Sequence, residues 1–273
     1  MPMALTVAGS DPSGGAGLQA DLKTFHQFGV YGQAVVTLVT VQNTRRVERV
    51  ETLPADLVLA QLRALLEDLP PAAAKTGALG DAAVVEALAA AAADFQFPLV
   101  VDPVMVSKQG ARLLTGEAAA ALARRLIPLA ALLMPNLEEA AALIEAPVAT
   151  LDDMRHAARK LHALGARAVL IKGGHLPGEA TDLLFSGGRW RSFSVPRIHT
   201  RHTHGTGCTY SAAIAAQLAA GVELETAIER AKAFITDAIA SSPGLGAGAG
   251  PVNHHARVPN DLSRAADCGH QSR

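Results

Sequence analysis

Cysteine is scarce in this sequence, with Cys208 and Cys268 alone among 273 residues, so a disulfide-stapled scaffold is excluded. Charge of one sign is lacking too, since 24 Lys and Arg face 25 Asp and Glu for a formal net charge of -1. Neither nucleic acid nor an anionic membrane is advertised as a partner. No apolar run approaches the roughly 20 residues needed to span a bilayer. The alanine-rich stretch 82–93 is interrupted by Glu86 and reads as a helix. No charged-then-apolar leader precedes the strand-like start at Ala4, so the expected setting is a reducing cytoplasm. The P-loop pattern and the kinase glycine loop are missing, and DPSGGAG at 11–17 has glycines without the GxGxxG spacing. Internal repeats and an interdomain linker are missing as well.

What is present is a chain that is 49% hydrophobic, enough for one large domain over 1–258. The polar stretch 259–273 has no apolar period and is expected to be a disordered tail. Short apolar runs at 4–9, 31–41, 47–53, 72–76, 99–101, 132–134 and 168–172 read as strands. Between them, 18–28, the stretch after Pro54, 82–93, 117–127 and 152–164 carry helical spacing. That alternation predicts an α/β fold with a mostly parallel sheet. Runs 183–185 and 190–195 around Ser186, Gly187 and Gly188 predict a hairpin at an edge. A last amphipathic helix carries Ile228, Ala231, Ile235 and Ile239.

In an open parallel sheet, ligands bind beyond the carboxyl ends of the strands. Asp11, Asp102, Asn136 and the Gly173–Gly174 pair all follow such runs. HGTGCTYSAA at 204–213 frames Cys208 with Gly205 and Gly207 before a helix, a geometry that turns N–H groups toward one point and holds an anion. A thiol at a helix N-terminus is expected to have a lowered pKa, making Cys208 a base or nucleophile. The alternative is a small core cysteine at a tight helix entry. Asn136 and Glu139 have the spacing of a capping box, and equally of a pair that holds Mg²⁺ through water. The histidines of HTRHTH, 199–204, lack a metal-ligand spacing and read as a solvated loop.

The motifs AGSDPSGGAGLQADLKTF from Ala8, VQNT from Val41, KTGAL from Lys75, DPVM from Asp102, PNLEEA from Pro135, KGGH from Lys172 and HGTGCT from His204 occur in order. Together they resemble the hydroxymethylpyrimidine phosphate kinases of thiamin biosynthesis, within the pyridoxal-kinase-like branch of the ribokinase-like superfamily. The resemblance implies a ribokinase-like, doubly wound sheet with helices on both faces, ATP and Mg²⁺ as cofactors, and a homodimer. It implies successive phosphorylation of a pyrimidine alcohol and of its monophosphate. It places Gln42, Ala16, Val104, Asp21 and Ala78 at the substrate, and Gly205, Thr206, Gly207 and Cys208 around the transferred phosphoryl. Lys172, Thr206 and Asn136 fall to the nucleotide, and Glu139, Asn136 and Asp102 to the metal. One departure stands out: the family usually reads KIGML where this chain reads KTGAL, so Ala78 replaces a methionine that packs over the ring. A pyridoxal or pyridoxine kinase is the alternative this leaves open.

Overall fold

The computed structural model describes residues 1–174 and 176–259. The β-branched and aliphatic runs become strands because helices cover both of their faces, which favours continuous apolar segments over alternating ones. The strands are β1 (Met3–Ser10), β2 (Tyr31–Gln42), β3 (Val47–Thr52), β4 (Ala73–Thr76) and β5 (Leu99–Val101). They continue with β6 (Leu132–Leu133), β7 (Ala168–Ile171), β8 (Ala180–Ser186) and β9 (Arg189–Val195). One nine-stranded sheet results, ordered β3-β2-β1-β4-β5-β6-β7-β8-β9. The order runs both ways from β1, as expected of a doubly wound sheet. Pairings from β2 through β7 are parallel, and β3, β8 and β9 join antiparallel at the two ends. The hairpin expected around Gly187 and Gly188 is β8–β9.

The helices are α1 (Gly17–Gln27), α2 (Ala55–Asp68), α3 (Ala82–Ala92), α4 (Gly116–Ala121), α5 (Leu137–Ile144), α6 (Leu151–Ala163), α7 (Thr206–Ala219) and α8 (Leu224–Ala240). Two separate apolar clusters follow. On one face Val58, Leu62, Val84, Leu88, Met154 and Leu161 pack against Leu5, Val7 and Val101. On the other, Phe25, Ile214, Ile228 and Phe234 meet Ala4, Val100 and Leu132. The helix expected over 117–127 is shorter: α4 widens into a π turn at Leu122–Leu126, then tightens to a 3₁₀ turn at Ile127–Leu129. Pro128 has no N–H to continue an α-helical ladder there. No helix among the described residues is long and apolar enough to cross a membrane. The tail expectation, save Pro259, falls outside the described residues.

Candidate active site

A cleft of about 880 Å³ opens at the carboxyl ends of the parallel strands. Each strand delivers a polar or small residue to it: Asp11 after β1, Ala78 after β4, Asp102 after β5, Asn136 after β6 and Lys172 after β7. Helix α7 points its N-terminus into the same space, where Gly205, Thr206, Gly207 and Cys208 line the cleft. Gly205 is the helix cap at φ 79°, a left-handed conformation that suits glycine. A Cβ at this position would also overlap the Gly15 carbonyl oxygen. No side chain caps α7, so a bound anion would be met by its first-turn N–H groups. A Cβ on Gly207 would sit 3.5 Å from Lys172 Nζ and 3.6 Å from Asp102 Oδ2. The helix start, the ammonium and the carboxylate therefore crowd around one point.

Lys172 Nζ donates to Asp102 Oδ1 at 2.7 Å and lies 3.8 Å from Glu139 Oε2. Burial works against its charge, but Asp102 and Glu139 outweigh burial and push its pKa up. The ammonium is thus secured as a cation. Burial pushes Glu139 up to about 7, with Lys172 opposing and Asp102 reinforcing the shift. Asn136 and Glu139 form the capping box: Glu139 N donates to Asn136 Oδ1 at 2.8 Å and Asn136 N to Glu139 Oε2 at 2.7 Å. The cap leaves Glu139 Oε1 outside those bonds. Among the described residues no three His, Cys, Asp or Glu side chains gather as a metal cluster. The donors here are hard oxygens that suit Mg²⁺ through its waters better than by direct ligation.

Two expectations for the residues assigned to the site are corrected. The Cys208 thiol is not lowered: burial pushes it up to about 11. Lys75 and the Gly17 N–H pull it down, yet Asp21 and Asp102 push the same way as burial. Desolvation of a thiolate is the largest influence, and the neighbouring ammonium and N–H do not offset it. Asp21, expected at the substrate, is not among the residues that line the cleft. It is fully buried, where Lys75 Nζ reaches both its oxygens at 3.0 Å and Thr6 Oγ1 donates at 2.6 Å.

Gln42, Ala16, Val104 and Ala78 do line the cleft together, beside Leu38 and Met105. Some pairings of consequence had no local signal. His204 is not a solvated loop histidine but is 3% exposed, with Nε2 2.7 Å from Asp11 Oδ2. Lys232 Nζ donates to Asp182 Oδ2 at 2.7 Å, and Asp182 Oδ1 accepts from Gly173 N at 3.0 Å, tying α8 to the loop after Lys172. Their partners are distant in sequence, so neither pair shows in a motif.

A family model described as Phosphomethylpyrimidine kinase matches residues 11–253. The chain is 44% identical to the hydroxymethylpyrimidine/phosphomethylpyrimidine kinase of Bacillus subtilis, covering 95% of this chain and 97% of that protein. It is 50% identical to the thiamine biosynthesis bifunctional protein ThiED of Geobacter sulfurreducens, over 92% of this chain and 51% of that one. It thus spans about half of that longer relative. Among solved structures, an ADP complex of Bacillus subtilis pyridoxal kinase superposes with a TM-score of 0.86 at 41% identity, covering 94% of this chain and 98% of that one.

Proposed function

This chain belongs to the phosphomethylpyrimidine kinase family, and on that premise we propose how its cleft performs two ATP-dependent phosphorylations of thiamin biosynthesis. It is a phosphotransferase for 4-amino-5-hydroxymethyl-2-methylpyrimidine and then for the monophosphate so formed. The observation that carries the division of labour is the meeting of α7's uncapped start with Lys172 in a cleft that Gln42 also lines.

Phosphoryl transfer is governed by positioning and charge neutralisation, with little covalent work for the protein. Lys172 and Thr206 hold the nucleotide phosphates, and the N–H groups of Gly205, Gly207 and Cys208 receive the transferred phosphoryl, that of Thr206 being given to the Thr203 carbonyl. The ring lies among Ala16, Val104 and Ala78, with Gln42 on its aminopyrimidine edge, an amide being both donor and acceptor. Asn136, Glu139 and Asp102 are the residues that would hold Mg²⁺ through its waters, and the ion would supply charge neutralisation at the phosphates. Cys208 takes the hydroxymethyl proton in the first step. In the second step the nucleophile is already an anionic phosphate oxygen and needs no such base. The same reading takes a homodimer as the solution state, which sedimentation velocity checks, and the cytoplasm as the setting.

A second reading, pyridoxal phosphorylation, is favoured by Ala78 and by the likeness to a pyridoxal kinase. Incubating the enzyme with ATP and either the pyrimidine alcohol or pyridoxal, with product masses read, decides between them. The expected outcome is a diphosphorylated pyrimidine and a higher kcat/KM on the pyrimidine. Preference for pyridoxal, or arrest at the monophosphate, would reject the primary reading. Ala78→Met is expected to sharpen discrimination against pyridoxal by roughly tenfold, since it adds bulk to an apolar wall. The ratio of the two kcat/KM values checks this.

A further inference from the structure

Gln42 and His204 lie 162 positions apart yet meet in the cleft, Gln42 Nε2 3.2 Å from His204 Nε2. The same ring nitrogen is 2.7 Å from Asp11 Oδ2, and both His204 and Asp11 are 3% exposed. Asp11 is itself pinned, accepting from Ser13 N at 2.8 Å and from Ser13 Oγ and Ala16 N at 2.9 Å each. Burial pushes its carboxyl up, but the hydrogen bonds from His204 and Ser13 outweigh burial and hold it below the ordinary range. An ionised carboxylate only accepts, so His204 Nε2 carries the hydrogen. A second N–H donor cannot share that bond. The Gln42 amide therefore turns its Oε1 to the imidazole and its NH₂ toward the ligand. The single Nε2–H is then shared between Asp11 Oδ2, the nearer acceptor, and Gln42 Oε1 as a three-centre bond, and the second lone pair of Oε1 stands beside the NH₂.

We propose that His204, anchored by Asp11, is a positioning residue that sets which end of the Gln42 amide meets the substrate ring. The inference rests on reading Gln42 as the partner of the aminopyrimidine edge. That edge presents an amino donor next to a ring-nitrogen acceptor, so an amide of fixed sense pairs with it in one ring orientation. An amide free to turn over spends part of its time donor against donor, and the ring is held less tightly. A merely structural role for His204 reads out differently. Gly205 follows it directly, so damage to the turn would lower kcat for every substrate.

The test is steady-state kinetics with ATP on the pyrimidine alcohol and on pyridoxal, for Gln42→Ala, His204→Phe, His204→Gln and the double variant Gln42→Ala/His204→Phe. His204→Phe is expected to raise KM for the pyrimidine about tenfold, the scale of one lost hydrogen bond, with kcat within about threefold. KM for pyridoxal, which has no such edge, stays within about twofold. His204→Gln, whose side-chain amide can donate from a similar place, restores most of the loss. In the Gln42→Ala background His204→Phe adds less than about twofold, because the two act as one unit. A fall in kcat at unchanged KM, or the full tenfold effect in that background, would overturn the inference. If Gln42→Ala raises KM and His204→Phe does not, the inference alone falls. If Gln42→Ala leaves KM unchanged, the reading of Gln42 falls and the inference with it. Should His204→Phe not fold, His204→Asn, too short to reach Gln42, takes its place with the same outcomes.

Discussion

Cys208→Ala is expected to slow phosphorylation of the hydroxymethyl group by roughly 10²–10⁴-fold, the range of a lost general base. Phosphorylation of the monophosphate is expected to lose less than about tenfold. The asymmetry follows from the nucleophiles, since an alcohol must shed a proton and a phosphate oxygen has none to shed. With the thiol pushed up to about 11 by burial, only a small thiolate fraction exists at neutral pH. The sign of the pH effect follows: below that value the base form grows about tenfold per pH unit. The first step should therefore quicken as pH rises from 7 toward 10, and the second should stay nearly level. Initial rates measured separately on each substrate, with product masses, check both statements. Equal losses in the two steps would leave Cys208 a purely positional role.

Lys75→Met is expected to cost about 3–5 kcal/mol of stability, the scale of a buried ion pair broken from one side. That is a fall in Tm of roughly 6–20 °C for a chain of this size. Lys75 and Asp21 are both fully buried, and the ammonium holds both carboxylate oxygens at 3.0 Å. Burial disfavours the charge on Lys75, but Asp21, Cys208 and Asp102 outweigh it and raise its pKa. Without the ammonium, Thr6 alone remains to meet the Asp21 carboxylate. The pH dependence has a definite sign. In the variant the folded pKa of Asp21 stands above its unfolded value of about 3.9, so the folded state binds the extra proton and the deficit shrinks as pH falls toward 4. Thermal melts at pH 5 and pH 8 check it. A double Lys75→Met/Asp21→Leu variant should recover much of the loss, because no unpaired charge is then left inside.

The fold was largely legible because its signals are local. Alternating apolar runs and helical periods mark β1 to β7 and their helices, and Gly187–Gly188 marks the β8–β9 turn. The π and 3₁₀ turns after α4 were not legible, since a helical period does not report how tightly each turn winds. At the candidate site, residues that follow strands were found by position alone, and Asn136 and Glu139 by their spacing. The capping box they form is a contact within one turn, which a sequence can display.

By itself, the sequence determined the strand–helix alternation, the residues at the strand ends, the glycine-framed turn before α7 and the motifs that carry the family. These depend on periodicity and on neighbours within a turn. Only the tertiary structure decided that the Cys208 thiol is raised instead of lowered, that Asp21 serves a buried pair instead of the cleft, and that His204 reaches Gln42 and Asp11. The reason is the same in each case. Desolvation and ion pairing are set by atoms brought near in space from distant positions, and no local pattern records which partner will arrive.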